Sequence, residues 1–240
     1  MNQDIESGAD HHILKNRIII RGILNLQTAL HIGGGESNIF GPEGAIITTH
    51  YKKDDEFVHG IPFIPATTLK GVIRSEAERI ARSKDQSVCF SDEKDMKACK
   101  KNYCIICQIF GGQNLAAHVF FKDCFPTEET RTKLKPGVAI DRKTAKAKTG
   151  AVFFIYTLQP GINFDFEMII ENIQDRDRLN ILKFLIRELS EGWIQIGGKR
   201  SVGLGKVKLG NIEIFQISSL NALIDLTVAE KISLDQFLQF

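Results

Sequence analysis

The chain has 240 residues, of which 43% are hydrophobic and 25% charged, a balance typical of one globular domain with a substantial core. The formal net charge of +2 excludes a uniformly basic protein, so any surface for nucleic acid must come from local clusters of cations. The opening stretch MNQDIESGADHHILKNR lacks the apolar core of a signal peptide, and no segment has the roughly 18 to 20 apolar residues that a membrane helix needs. We therefore expect a cytoplasmic protein that makes no membrane contact.

The predicted elements alternate between strands and helices. A β-rich run over residues 17–33 predicts a first strand that ends at three glycines. A helix follows the prolines at 62 and 65, with Thr67 or Thr68 as its cap and one apolar face formed by Leu69, Ile73, Ala77 and Ile80. The remaining predicted elements are strands at 118–125, 150–158 and 162–173, a helix at 177–192, and strands at 193–198 and 205–217.

This order of strand, helix, strand, strand, helix, strand predicts the fold class. It indicates an α+β chain with a modified ferredoxin-like fold, the fold that also underlies RNA-recognition modules. We expect a single domain over residues 1–240 with long insertions. The tail at 218–240 has a weak pattern, and we expect a short helix there that packs on the domain or on a partner.

The insertion at residues 83–115 is rich in cysteine. Cys104 and Cys107 form a CxxC pair, and Cys89 and Cys99 complete the four thiols that tetrahedral zinc requires. Four buried free thiols are the alternative, but the segment is polar and rich in lysine. A zinc held by four protein ligands would be structural. We expect the fifth cysteine, Cys124, to be an ordinary core residue.

A glycine-rich stretch near the end of the chain, GGKRSVGLGK at residues 197–206, carries Lys199, Arg200 and Lys206. Glycines at this density allow close approach of another chain, and the cations indicate that this chain is negative. A free nucleotide, a nucleic-acid backbone, or no anion at all are the three alternatives. The stretch fits neither the phosphate-loop pattern nor Gly-x-Gly-x-x-Gly, because Lys208 stands where the last glycine should be, which disfavours a mononucleotide site.

A second cluster of cations lies at residues 131–148. It contains seven basic residues against one acid, Asp141, which is a local charge of +6. A solvated face is the ordinary explanation for such a run. A protease-type triad is not supported, because neither His31 nor His118 is accompanied by a nucleophile-elbow pattern.

Five motifs in this order resemble the RAMP superfamily: LHIGGGES, PFIPATTLKGVIRSEAE, CIICQIFGG, VAIDRKTAKAKTGAVFF and IGGKRSVGLGKV. The sequence is most similar to the backbone subunits of type III and related CRISPR effector complexes, the group numbered seven among the Cas proteins. The resemblance covers residues 17–215. It implies a subunit that polymerises with copies of itself along guide RNA, binds complementary target RNA, and assembles with other effector subunits.

The resemblance also implies a thumb hairpin at residues 126–152 that wedges into the guide and target duplex. Together with the charge pattern it gives these candidate RNA contacts: His31, Gly33, Gly34, Gly35, Lys70, Arg74, Arg142, Lys143, Lys146, Lys148, Gly197, Gly198, Lys199, Arg200, Ser201 and Gly203.

Catalysis, by the same resemblance, would need an acid after the first strand, where this chain has Glu36 in place of the family's aspartate. Mg²⁺ or Mn²⁺ would be the cofactor of target-RNA cleavage. A longer side chain displaces the carboxylate, so we expect slow cleavage at best; a loop acid without a role is the alternative. Two other functions stay open, a guide-processing endoribonuclease with His31 as general base and a zinc-containing assembly protein without RNA contact.

Overall fold

The structure is a computed structural model that describes residues 13–33, 46–53, 56–84, 86–89, 99, 103–130 and 132–239. Its strands are β1 (Arg17–Leu26), β2 (Thr48–Lys53), β3 (Glu56–Pro62), β4 (Val119–Phe121), β5 (Thr132–Ile140), β6 (Ala147–Leu158), β7 (Asn163–Glu171), β8 (Val207–Ile217) and β9 (Glu230–Ile232). Its helices are α1 (Ala66–Ser83), α2 (Ile105–Phe110), α3 (Arg176–Glu191), α4 (Leu220–Ile224) and α5 (Leu234–Gln239).

A five-stranded antiparallel sheet in the order β4-β7-β1-β8-β9 forms the centre of the described chain. β1 lies in the middle and alternates, so that Ile20, Leu24 and Leu26 are buried in the main core. Ile19 points to the opposite face and packs with Ile217 and Ala222 from the end of the chain. The chain is thus a mixed α/β fold with helices against an antiparallel sheet.

The helix α3 follows its sequence pattern closely. Asp175 caps it by accepting a hydrogen bond from the Arg178 backbone N–H at 2.9 Å. Leu182, Leu185, Ile186 and Leu189 are buried along one face, and Gly192 ends the helix in the left-handed conformation. The sequence prediction for this helix is confirmed to within one residue at each end.

The helix α1 begins differently from its prediction. Neither Thr67 nor Thr68 caps it; the helix starts after Pro65, and the carboxylate of Asp123 accepts a hydrogen bond from the Ala66 N–H at 2.7 Å. Leu69, Ile73 and Ala77 are buried as predicted, whereas Ala81 is buried and Ile80 is only half-buried. The cap therefore comes from the segment after β4, far along the chain.

Two hairpins lie outside the central sheet, β2 with β3 and β5 with β6. The predicted strands at 118–125, 150–158 and 162–173 correspond to β4, β6 and β7. In place of a strand at 193–198, the structure has one isolated bridge between Gln195 and Lys206, because the chain turns at once into the glycine stretch. The strand prediction for that segment is wrong, while the strand after it is confirmed as β8.

The tail contains α4, β9 and α5 in place of the one short helix expected, and Phe237 of α5 is buried in the main core. Cys124 is fully buried, as predicted. Within the described ranges, the helices are too short or too polar to cross a membrane.

Candidate functional site

The four cysteines of the insertion come together in space; we call Cys89, Cys99, Cys104 and Cys107 the cysteine cluster. Their sulfur atoms all lie within 4.8 Å of one another. Cys104 is the residue before α2 and Cys107 lies in its first turn, so the helix start positions the CxxC pair. The Cys99 sulfur accepts a hydrogen bond from the Cys104 backbone N–H at 3.4 Å. The cluster can therefore hold a metal ion.

Two sulfur separations test which ion fits. The Cys89 Sγ lies 3.5 Å from the Cys107 Sγ and 3.8 Å from the Cys104 Sγ. In a tetrahedral zinc site with Zn–S bonds of about 2.3 Å, neighbouring sulfurs are about 3.8 Å apart. The donor set and the separations both suit zinc, and all four ligands would be protein thiolates.

The thiols also influence one another's ionisation. The hydrogen bond from the Cys107 thiol holds the pKa of Cys104 down at about 4, while burial raises the pKa of Cys89 to about 11. The pKa of Cys107 is raised, first by that same hydrogen bond to Cys104. Without a metal, Cys104 is thus the thiol that loses its proton most readily of these three, whereas Cys89 and Cys107 hold theirs more tightly. Binding of a metal would require the ligand thiols to give up their protons.

Helix α1 lies directly beside the cluster. The Arg74 guanidinium donates to the Glu78 carboxylate at 3.1 Å, to the Gly111 carbonyl at 2.9 Å and to the Cys107 sulfur at 3.6 Å. All three nitrogens of Arg74 thus have partners inside the protein. Its role as an RNA contact stays a prediction.

Lys70 lies one helical turn before Arg74 and is half-buried. Burial and the neighbouring Arg74 charge lower its pKa. The i,i+4 spacing of Lys70 and Arg74 in the sequence agrees with this proximity.

Three segments that are distant in the sequence meet at the end of β1. The Gly198 N–H donates to the His31 carbonyl at 2.9 Å, and the Gly205 N–H donates to the Ala29 carbonyl at 2.8 Å. Leu30 pairs with Leu158 at the base of the β5–β6 hairpin. The segment after β1, the glycine loop (residues 197–206) and the basic hairpin (residues 132–158) therefore form one continuous region.

His31 lies at the centre of this region. Its Nδ1 is 2.9 Å from the Tyr156 carbonyl oxygen of β6. A carbonyl can only accept, so the Nδ1 carries the proton and, in the neutral ring, the Nε2 is left as an acceptor. Gly33, two residues further on, lies near that Nε2.

Two glycines of the loop are needed for the protein's own packing. Gly197 has a φ of 76°, and a Cβ there would lie 2.3 Å from the His31 carbonyl oxygen. Gly205 has a φ of 81°, and its Cβ would lie 1.9 Å from the Ile196 carbonyl oxygen. Gly203 differs, because nothing lies within 4 Å of the position of its Cβ. Close approach of another chain is thus open at Gly203, whereas at Gly197 the protein's own backbone occupies that space.

The outer part of the glycine loop is exposed. Arg200, Ser201 and Val202 form one 3-10 turn, preceded by Lys199 at a φ of 59°. The Lys199 ammonium lies 5.1 Å from the centre of the Phe153 ring on β6, in a cation–π contact. Phe153 in turn lies across Gly137 of β5, where a Cβ would be 2.3 Å from the ring. The loop and the basic hairpin are joined through this aromatic ring.

The tip of the basic hairpin presents the four cations predicted to contact RNA, all exposed: Arg142, Lys143, Lys146 and Lys148. The carboxylate of Asp141 accepts hydrogen bonds from the backbone N–H groups of Lys143 and Thr144, at 2.8 and 3.0 Å, and its pKa is lowered by them. The one acid of the run therefore shapes the turn. None of the four cations pairs with an acid in the part of the chain that the structure describes.

Three predicted site residues, Gly34, Gly35 and Glu36, lie outside the described residues. The predictions for them stand on the sequence alone.

Comparison with known proteins gives the family. A model of the RAMP superfamily matches residues 23–208, more than three quarters of the chain. The chain belongs to the RAMP superfamily. The matched range contains the four residues of the cysteine cluster, the basic hairpin and the glycine loop of this RAMP protein.

Curated relatives are similar over most of their length. The chain is 28% identical over 223 residues to a Methanocaldococcus jannaschii protein named "CRISPR system Cms endoribonuclease Csm3", covering 84% of this chain and 82% of the relative. A Streptococcus thermophilus protein of the same name is 27% identical, covering 86% of this chain and 94% of the relative. One from Methanothermobacter thermautotrophicus is 25% identical, with coverages of 82% and 84%.

Sequence reasoning missed several residues of these two regions. Phe153 was part of a strand prediction, and nothing in its neighbours indicates the contact with Lys199. The pairing of Arg74 with Glu78 was open to prediction, since Arg74, Glu78 and Arg82 follow one another at the i,i+4 spacing that favours ion pairs on a helix. Its bonds to Gly111 and Cys107, more than 30 residues away, were not.

Proposed function

We propose that this RAMP protein is the backbone subunit of a type III CRISPR effector complex, which lies along guide RNA and binds complementary target RNA. The observation that carries the proposal is the junction of the segment after β1, the glycine loop and the basic hairpin. The names of the relatives support the same assignment. Copies of the chain would form the helical assembly, with other effector subunits as partners.

The recognition would be of backbone and not of sequence. Lys199 and Arg200 are exposed on the glycine loop, and the cations of the hairpin tip are exposed further along the hairpin whose Phe153 contacts Lys199. Such cations bind phosphates, while base pairing between guide and target supplies specificity. Gly203, with open space around it, would admit the sugar-phosphate chain closely.

The basic hairpin would act as the thumb. Three cross-strand pairs, Leu134 with Tyr156, Pro136 with Phe154 and Val138 with Val152, put apolar side chains on one of its faces. Leu134, Val138, Val152 and Phe154 are all at least 43% exposed, which is unusual for apolar residues on a free surface. An apolar face on a hairpin that carries exposed cations at its tip suits contact with bases and phosphates together.

The rest of the chain would support this surface. We infer a ferredoxin-like core, supported by the sheet order β8-β1-β7-β4 with α1 and α3 as its two connecting helices. We further propose that the cysteine cluster holds a structural zinc ion, supported by the four thiols and their separations. Zinc there would stabilise the insertion and supply no chemistry to the RNA.

Guide binding can be tested directly. Protein purified from its native operon should carry RNA, seen as a high ratio of absorbance at 260 nm to that at 280 nm. Affinity for unrelated guide sequences should be similar and should fall with salt, with a slope of about 0.7 per phosphate contact for single strands. Strongly sequence-dependent binding, or protein free of nucleic acid that also fails to bind added guide, would contradict the proposal.

For target cleavage we propose Glu36, with Mg²⁺ or Mn²⁺ as the ion its carboxylate would help to hold. The assembled complex would receive labelled target and either ion, and wild type would be compared with Glu36→Ala, Glu36→Asp and the remote control Glu230→Ala. We expect wild type to cut the target at regular intervals. Glu36→Ala should abolish these cuts without loss of target binding, and Glu36→Asp should accelerate them. Tight binding without cuts in wild type would make the chain a scaffold and leave cleavage to a partner.

A guide-processing endoribonuclease is the second candidate, and the geometry of His31 favours it specifically. The hydrogen bond to the Tyr156 carbonyl leaves the Nε2 as an acceptor, as a general base requires. Cleavage of precursor RNA in EDTA would then be lost in His31→Ala and kept in Glu36→Ala. Failure of wild type to cleave the precursor would exclude this candidate.

A further inference from the structure

Helix α1 also carries cations, but these are bonded within the protein, in contrast to the exposed cations of the glycine loop and hairpin. Arg74, Glu78 and Arg82 follow one another at four-residue intervals, which places them on one side of the helix. The Glu78 carboxylate receives Arg74 at 3.1 Å and Arg82 at 3.5 Å. We call these three residues the α1 ion-pair row.

Each end of the row contacts a different part of the cysteine cluster. Arg74 donates to the Cys107 sulfur and, at 2.9 Å, to the Gly111 carbonyl that follows α2. Arg82 donates to the Cys89 carbonyl at 3.3 Å. Cys89 and Cys107 are 18 residues apart in the chain, and their sulfurs are 3.5 Å from each other. The row thus spans the two sides of the cluster.

We propose that the α1 ion-pair row is the positioning and charge-compensating support of the metal centre, with Arg74 as its main residue. The inference rests on the proposed zinc. Four thiolates around one divalent ion carry a net charge of −2, and a guanidinium bonded to one sulfur lowers the cost of that charge in a half-buried site. Arg74 is then a positioning residue, since it acts on a ligand and does not itself bind the ion.

The same geometry separates Arg74 from the phosphate-binding cations. A guanidinium has its donors on three nitrogens in a fixed plane, and in Arg74 each nitrogen has a protein partner. Binding a phosphate would require one of these bonds to be given up. Lys70, one turn earlier, contacts none of the four cysteines through a bond that the structure describes and remains the RNA candidate of this helix.

The test uses full-length protein loaded with Zn²⁺ or with Co²⁺. Variants would be Arg74→Gln, Arg74→Lys and Arg82→Gln, with Arg79→Gln as a matched control because Arg79 pairs with Glu76 on the same helix and its side chain is 68% exposed. Transfer of the metal to a chromogenic chelator and the sulfur-to-cobalt charge-transfer bands would be measured, together with guide affinity and its salt slope.

We expect Arg74→Gln to weaken metal affinity by about 10- to 100-fold, the usual effect of losing a partner of a metal ligand, so that the chelator takes up the metal more readily, and to shift the charge-transfer bands. Arg74→Lys keeps the positive charge but cannot make all three bonds. Its metal affinity should therefore lie between that of wild type and that of Arg74→Gln. Arg82→Gln should have a smaller effect, since it bonds a carbonyl, and Arg79→Gln should match wild type. Guide affinity and salt slope should stay at the control value in every variant.

Three results would overturn the inference in different ways. If Arg74→Gln and Arg74→Lys both hold the metal as tightly as the control Arg79→Gln and show the same spectrum, Arg74 does not support the centre. If they lose guide affinity with a shallower salt slope while holding metal normally, Arg74 is a phosphate contact. If wild type binds neither Zn²⁺ nor Co²⁺, the zinc proposal fails and this inference with it. If Arg74→Gln does not fold, the metal binding and guide affinity of Arg74→Lys distinguish the first two of these results.

Discussion

Around the cysteine cluster, Arg74 and Arg82 are bonded to protein atoms on several sides and their side chains are only 30% and 35% exposed. Around the glycine loop and the basic hairpin, Lys199, Arg200 and the four cations of the tip are exposed to solvent. Both regions contain several cations, so the number of cations alone does not distinguish them. The difference teaches that a cation can be judged as a ligand contact only once its partners within the protein are known. A cation that is already bonded there is a poor candidate, and an exposed one is a better candidate.

The largest test of this contrast is removal of the CxxC pair. Replacing Cys104 and Cys107 by Ser should abolish metal binding and lower the free energy of unfolding by about 4 kcal/mol or more, since loss of a structural metal belongs to the most damaging changes. Elemental analysis and thermal denaturation would measure both effects. Cys124→Ala, at a buried cysteine outside the cluster, should cost stability yet keep the metal.

Next in size is the effect of a side chain on the glycine loop. Gly205→Ala would place a Cβ against the Ile196 carbonyl and should destabilise the protein by about 3 kcal/mol, at the upper end of backbone strain. Gly203→Ala meets no neighbouring atom and should cost about 1 kcal/mol for its positive φ alone. Urea denaturation would compare the two variants. Equal losses would mean that the contact with Ile196 does not shape the loop.

Removal of exposed cations should change RNA binding and leave stability intact. For Lys199→Ala, Arg200→Ala and Lys146→Ala we expect weaker guide binding by a similar factor for unrelated sequences, with the salt slope lower by about 0.7 for each phosphate that the variant no longer neutralises. Titrations at several salt concentrations would give the slopes, and Lys231→Ala, in a surface ion pair with Glu213, is the control. If a variant has the same salt slope as that control, the substituted residue does not contact a phosphate of the RNA.

The smallest expected effect concerns the ring that joins the loop to the hairpin. Phe153→Leu keeps an apolar side chain but removes the cation–π contact, which is worth about 0.5 to 1 kcal/mol at an exposed site. Guide affinity should therefore fall about 2- to 5-fold, and a double-mutant cycle with Lys199→Met should show that the two changes are not additive. Full additivity would show that Phe153 does not position Lys199.

The helices and most of the strands could be predicted from the sequence, whereas contacts between distant segments could not. The apolar pattern of α3, its Asp175 cap and its Gly192 end are all local, so they could be predicted from neighbouring residues. The cap of α1 is Asp123, which lies 57 residues beyond Ala66, and no local pattern contains it. Cysteine spacing predicted a cluster because the metal chemistry itself fixes the number and type of ligands.

The glycine loop shows that a sequence motif does not reveal what each of its glycines contacts. The density of glycine and cation at residues 197–206 draws attention to the loop, and its role in RNA binding stays a prediction. Glycine at 197 then suggested close approach of RNA, whereas the close approach in the structure is that of the His31 carbonyl. Such an approach depends on how β1 ends, which the loop's own sequence does not contain.

The central place of β1 in the sheet has a consequence for the making of the protein on the ribosome. Its partner β7 lies far along the chain, Arg21 and Glu167 being 146 residues apart, and β8 lies further still. At a synthesis rate of about 5 to 20 residues per second, β1 waits about 7 to 30 s before β7 emerges. The basic hairpin pairs residues that are close in sequence and can close earlier. The surface proposed for RNA thus begins to form on the nascent chain before the sheet that will support it.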